Sequence, residues 1–210
     1  MSLTTNWGYA LPDTDTLPEL LSVEEFNTLT AGKYSGDVRI AGNIAAASSA
    51  IRNYCGWHVY PELPCKFSER LLYSNGRIKR VYNDFVIQLP ATHVSEVASV
   101  MINGEEHEDY ALESNGIVHV FDVSLSEVTR KTLVEIRYTA GLKDGMMPGI
   151  RELVAHRVTH ALASSAGVQS ETAGGVSITY SSNWINASGA TALASENKEV
   201  IDPYRLEGVF

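Results

Sequence analysis

The spacing of hydrophobic residues changes twice along this chain, and that limits the folds open to it. In DVRIAGNIAAASSAIRNYCGW, residues 37–57, the apolar positions Ile40, Ile44, Ala47, Ile51 and Tyr54 fall alternately four and three apart. This makes one stripe on a helix of 3.6 residues per turn. Asp37 is placed to cap its start and Gly56 to stop it. The run from Ala45 to Ala50 is small on every side, which lets another backbone approach closely. From His58 to Gly141 the period becomes two, with strand-like runs FVIQLP, VASVMI, GIVHV and LVEIRY. The dipeptides Asn75-Gly76, Asn103-Gly104 and Asn115-Gly116 mark turns, the first predicting a hairpin between CKFSERLL and RIKRVY. A helical period returns after Pro148, with Ile150, Leu153, Val154, Val158, Ala161 and Leu162 on one face.

The sequence therefore predicts an α+β fold. Two long helices and short ones form a helical core, interrupted by an antiparallel β-rich block arranged as a meander or small barrel. The domain reading is an N-terminal arm over 1–36, one α+β domain over 37–166 carrying the β-rich insertion 58–141, and a C-terminal segment over 167–210. Inside the polar, acidic arm, Ser22-Val23-Glu24-Glu25 has the spacing of a capping box and predicts a short helix to Leu29, stopped at Gly32. Residues 167–210 are dominated by Ser, Ala, Gly, Thr and Asn, with one strand-like run from Val176 to Tyr180. Such a composition buries too little to offset its own ordering entropy, so the segment is expected to be flexible or ordered by a partner. The closing IDPYRLEGVF is aromatic and aliphatic, an end suited to docking on a surface.

Composition excludes some functions. The 210 residues, 44% hydrophobic and 20% charged, are those of a globular chain. A net charge of −9 argues against a nucleic-acid clamp, whose affinity rests on neutralising phosphates with Lys and Arg. No basic residue precedes Lys33 and no apolar run is long enough to span a bilayer, so a soluble, cytoplasmically made chain with no membrane partner is expected. Cys55 and Cys65 form no CxxC and are read as reduced, half-buried thiols.

Catalytic constellations do not emerge. Glu152, His156 and His160 recur every four residues, a spacing at which two imidazoles can hold one metal ion. Arg157 stands where a zincin has its glutamate, however, and a solvated helix face explains the three as well. No GxSxG elbow, phosphate loop or dinucleotide fingerprint is present. Two charged clusters stand out instead: basic Arg77, Lys79 and Arg80, and acidic Glu105, Glu106, Glu108 and Asp109. Solvated strand edges commonly carry such charges. Trp57, Tyr60, Tyr73, Tyr82 and Tyr110 could alternatively give the β block a stacking surface for a ligand or carbohydrate, although core packing accounts for rings in strands equally well.

The order and spacing of IRNYCGW, EIRYTAGL, PGIRELVAHRVTHAL, SETAGGVSITY and DPYRL resemble those of phage head-tail connector (adaptor, or head completion) proteins, over residues 37–206. The long block 58–141 departs from the family, whose members have a smaller segment between the two helices. The resemblance implies a non-enzymatic virion protein without cofactors. It would form a cyclic homo-oligomer, a dodecamer, beneath the portal protein. It would extend the channel for double-stranded DNA, bound without sequence specificity, and carry the next connector or tail protein. Its location would be the host cytoplasm during assembly and then the head-tail junction of the virion. Carried onto matching positions, the resemblance makes Ile40, Ile44, Ile51 and Tyr54 on the first helix candidates for subunit contact. Ile150, Leu153, Val154 and Val158 are the candidates on the second, with burial in the chain's own core as the competing role for both sets. Tyr180, Tyr204, Arg205 and Leu206 become candidates for partner docking. A closed ring needs two different surfaces per subunit, and the basic and acidic clusters are candidates for that pair. A tail ordered only by its partner should be cut by protease between Gly167 and Val200 in free subunits and protected after docking on portal; equal cleavage in both states would contradict it.

Overall fold

The computed structural model describes residues 2–73, 76–124, 128–163, 170–173, 176–179 and 195–206. They divide into two compact units: Met1–Pro18, Cys55–Asp144 and Tyr204–Phe210 in one, and Glu19–Tyr54 with Gly145–Pro203 in the other.

The first unit is built from two antiparallel sheets. Strands β1 (Leu3–Thr4), β2 (Tyr9–Leu11), β3 (Leu63–Arg70), β6 (Val94–Ile102), β7 (Glu105–His107) and β10 (Leu133–Ala140) form a six-stranded sheet in the order β1-β2-β3-β10-β6-β7. A four-stranded sheet runs β4-β5-β9-β8, from β4 (Ile78–Val81), β5 (Asp84–Gln88), β8 (Tyr110–Leu112) and β9 (Ile117–Val120). The alternation seen in the sequence sets which faces are buried. On β10, Val134, Ile136, Tyr138 and Ala140 are buried. In register with Ile136 lie Phe67 on one side and Val100 on the other, and Phe67 in turn pairs with Tyr9. One apolar row thus crosses four strands, the arrangement by which cross-strand pairs stabilise a sheet.

Three expectations change here. The arm is not wholly polar: Tyr9 and Leu11 are buried, and β2 pairs with β3. Its strands are too short for a period-two signal to stand out. The strands on either side of Asn75-Gly76 do not pair as the expected hairpin, because β3 pairs with β2 and β10 while β4 pairs with β5 in the other sheet; Asn75 itself lies outside the described residues. Nor is the larger sheet a meander, since β10 enters between β3 and β6. The other two turns behave as their sequences require. Asn103 and Gly104, both with positive φ, join β6 to β7, and Asn115 and Gly116 do the same between β8 and β9.

The second unit holds helices α1 (Val23–Leu29), α2 (Ile40–Cys55), α3 (Pro148–Ala163) and α4 (Ser195–Ile201), with a hairpin of β11 (Ser170–Ala173) and β12 (Val176–Thr179). The capping box is formed: Ser22 Oγ accepts from Glu25 N at 3.1 Å, and Glu25 Oε2 accepts from Ser22 N at 2.8 Å. α2 starts three residues after Asp37, whose carboxylate accepts from Arg39 N at 2.9 Å and pairs with the Arg39 guanidinium at 2.7 Å. That pairing holds the Asp37 carboxyl below its usual range. Within the small-residue run, buried Ser48 accepts from Leu20 N at 3.0 Å, so close backbone approach is what the run permits. Arg39 donates to Leu162 O at 3.4 Å, linking α2 to the end of α3, and Arg151 meets Glu25 at 3.3 Å, linking α3 to α1. The α+β class holds. More described residues lie in strands than in α-helices, so the long helices carry less of the fold than their clear periodicity implies.

Two glycines give opposite predictions. A Cβ on Gly141, at φ +135°, would lie 2.2 Å from Pro61 O and 2.5 Å from Glu62 Cα. Gly141→Ala should therefore cost about 3 kcal/mol by urea unfolding. Gly42 sits inside α2 with nothing within 4 Å, so Gly42→Ala should stabilise by roughly 0.5–1 kcal/mol.

Candidate assembly surfaces

The helical stripes turn inward. Ile40, Ile44 and Ile51 on α2, and Ile150, Leu153, Val154 and Val158 on α3, are buried within the chain. Tyr54 is half-buried; its hydroxyl donates to Asp202, and Lys198 Nζ stands 5.8 Å from its ring centre. Arg157 is buried on α3, where loss of water lowers its basicity.

The terminal segment docks on the chain itself. Trp57, fully buried, donates from Nε1 to Tyr204 O at 2.6 Å, and Leu206 N donates to Cys55 O at 2.9 Å. Gly56, at φ +79°, leaves room for the Leu206 side chain, which would stand 3.6 Å from a Cβ there. Arg205 is exposed. His93 stacks parallel to Trp57, with centres 6.2 Å apart, and packs against Tyr204 at 5.5 Å. Burial lowers the basicity of His93. Tyr180 lies outside the described residues, as does most of the segment expected to be flexible.

The two charged clusters occupy the edge strands of different sheets. Lys79 and Arg80 are exposed on β4, the edge of the four-stranded sheet. Arg77, just before β4, is half-buried, and its charge draws down a Glu69 carboxyl that burial pushes up more strongly. Glu105 and Glu106 are exposed on β7, the edge of the six-stranded sheet, and Glu108 and Asp109 follow in the exposed link to β8. That link is anchored by His107 Nε2 donating to Phe121 O at 2.6 Å and by the Tyr110 hydroxyl donating to Val97 O at 3.2 Å. Charge on an unpaired edge discourages indiscriminate strand addition and leaves contact to a partner of opposite sign.

The remaining sequence candidates separate. Glu152 and His156 are exposed and His160 is half-buried, and no group of three potential metal ligands forms among the described residues. The aromatic set divides between interior and surface. Trp57 is core, Tyr60 donates to Asp144 at 2.9 Å, Tyr110 is tied to β6, and Tyr82 is 88% exposed; the Tyr73 side chain lies outside the described residues. Both cysteines are free and buried, with the Cys65 thiol pushed up to about 12 by burial. The sequence reading passed over one further feature, a hollow between α1 and α3 beside exposed Leu29. Its signal was available: α1 carries Val23 and Leu29 as well as Phe26, more apolar residues than the core takes up.

Buried apolar stripes and charged strand edges are common to globular chains, and the role is read from comparison with known families. The sequence profile of the head completion protein family matches residues 19–205, and the chain belongs to that family, whose role is structural in the phage head. The match begins after β2 and takes in α1 to α4 together with the long β block. Among curated proteins none matches the chain. Membership implies contact with other head or tail components at the head-tail junction. Among the described residues no helix is long and apolar enough to cross a membrane.

His93 gives a pH prediction. Folding favours its neutral ring, so its contribution to stability is complete above the ordinary value of 6.5 and is lost as pH falls through 6.5 toward the lower folded value. Between about pH 7.5 and pH 5 the wild type should lose more thermal stability than His93→Gln, which does not titrate. Equal losses would show that another group governs the acid limb.

Proposed function

We propose that the chain is a non-enzymatic connector subunit that closes into a ring beneath the portal, a dodecamer, extends the DNA channel and carries the next connector or tail protein. The carrying observation is the family match over residues 19–205. The placement of charge supports the ring. Head-to-tail closure needs two unlike surfaces on each subunit, and this chain has a basic edge at Arg77, Lys79 and Arg80 and acidic edges, among them Glu105, Glu106, Glu108 and Asp109. The helices α2 and α3, packed through Ile40, Ile44, Ile51, Ile150, Leu153, Val154 and Val158, serve in this reading as the stiff core of the second unit. Tyr54 and the Tyr204-Arg205-Leu206 clasp, with Tyr180, are the proposed points of contact with portal or neighbouring copies.

A net charge of −9 suits a channel wall past which DNA slides, because duplex DNA carries a phosphate charge about every 1.7 Å and Lys-rich walls would hold it. Assembly takes place in the host cytoplasm, before the subunit becomes part of the virion.

The test is co-expression with the portal protein of the same phage, followed by affinity purification and particle imaging. A closed ring seated on the portal is expected. Its occupancy should fall as salt approaches about 1 M, where charges are screened beyond roughly 3 Å. A chain that stays apart from portal and from its own copies at every concentration would overturn the reading.

A further inference from the structure

Apart from Val38, the large exposed apolar side chains of the described residues are divided between the two units. The first unit has Leu72, Val81 and Tyr82; the second has Val23, Leu29, Met146 and Val200. A subunit that binds its own copies head to tail needs two such places, each shaped for the other.

The first is a knob. Val81 pairs with Asp84, so Tyr82 and Asn83 form the tip of the β4–β5 hairpin. Tyr82 has φ +56° and is 88% exposed. A bulky residue held there is strained, where Gly or Asn would sit with little or no strain. Arg80 Nε donates to Tyr82 O at 3.0 Å and steadies the tip. The result is one projecting ring near the cations of Lys79 and Arg80, presented in a strained backbone conformation and 88% exposed among the described residues.

The second is a groove of about 400 Å³ between α1 and the first turn of α3. Leu29, 51% exposed, and Pro148 give it an apolar lining, and exposed Glu24 and Glu152 supply acidic groups. Arg151 is engaged with Glu25 at 3.3 Å, which leaves the lining net negative. The volume is in the range that takes an aromatic side chain with its neighbours.

We propose that Tyr82 of one copy enters the α1–α3 groove of the next, with Lys79 and Arg80 facing Glu24 and Glu152. The inference rests on the ring reading and names the contact that would close the ring. Charge and apolar character match on both sides, whereas the acidic β7 edge, the other acceptor available to the same cations, offers charge alone. Aromatic anchors in pockets carry most of the energy of an interface, so the ring of Tyr82 matters more here than the charges, which set register and rate.

The experiment follows portal-driven assembly of the full chain by mass photometry and imaging. Tyr82→Asn keeps the hairpin tip without strain, so its melting temperature should equal or exceed the wild type while the concentration needed for assembly rises tenfold or more. Lys79→Glu with Arg80→Glu should block assembly, as should Glu24→Lys with Glu152→Lys. The four changes together should restore it. A zero-length carbodiimide should join Lys79 of one copy to Glu24 or Glu152 of another. If rings form and Tyr82→Asn assembles as the wild type does, or Lys79 crosslinks to Glu105 or Glu106, this contact is wrong and the ring reading stands. If the wild type makes no ring with portal, both fall.

Discussion

The β unit depends on one buried imidazole. His58 is fully buried, and its Nε2 faces Pro61 O and Ala140 O, each at 3.0 Å. Carbonyls only accept, so Nε2 carries the hydrogen, and Nδ1 accepts from the Tyr9 hydroxyl at 2.6 Å. The Tyr9 oxygen in turn accepts the His58 backbone N–H at 3.0 Å. The ring thus joins β2, the turn that follows α2 and the end of β10, three pieces far apart in sequence. Each polar atom in the set has its partner, and removing one would leave a buried group costing about 1–3 kcal/mol. Tyr138, beside Tyr9 at 6.4 Å between ring centres, is fully enclosed, and burial drives its hydroxyl well above the usual phenol range.

That arrangement explains what the sequence did and did not reveal. Local rules were legible. Ser22 and Glu25 formed their box, Pro148 opened α3, Asn103-Gly104 and Asn115-Gly116 turned their hairpins, and period-two runs became β5, β6, β9 and β10. Long-range pairing was not legible. Nothing near Tyr9 announces that its hydroxyl will meet an imidazole 49 positions away, and nothing in CKFSERLL tells β3 to prefer β10 over the strand that follows it. The strands flanking Asn75-Gly76 show the limit: a turn signal in a sequence predicts a bend, while the partner of each flanking strand is decided by the core it helps to fill.

The surface features were partly legible, for the same reason. Charge survives from sequence to structure because charged residues stay outside, so Lys79, Arg80, Glu105 and Glu106 were found where composition put them. Aromatic rings do not sort so simply. Trp57 and Tyr82 read alike in the sequence, yet one is the floor of the terminal clasp and the other stands in solvent. Only the backbone separates them, since Tyr82 occupies a turn position with positive φ that no core packing requires.

In a ring the strength of one contact is multiplied by closure. A hairpin tip against a shallow groove is a small interface, too weak to hold two free subunits together at low concentration. In the proposed ring, a portal holding several copies would make each further contact an intramolecular event at high effective concentration, so that weak contacts would suffice. Burying the stripes of α2 and α3 inside the chain fits the same reading: seven large aliphatic residues exposed on the helices would drive free subunits to associate indiscriminately. In the connector reading, internal burial of the helices and exposure of a modest, charged contact would then be two parts of one requirement, that assembly wait for its template.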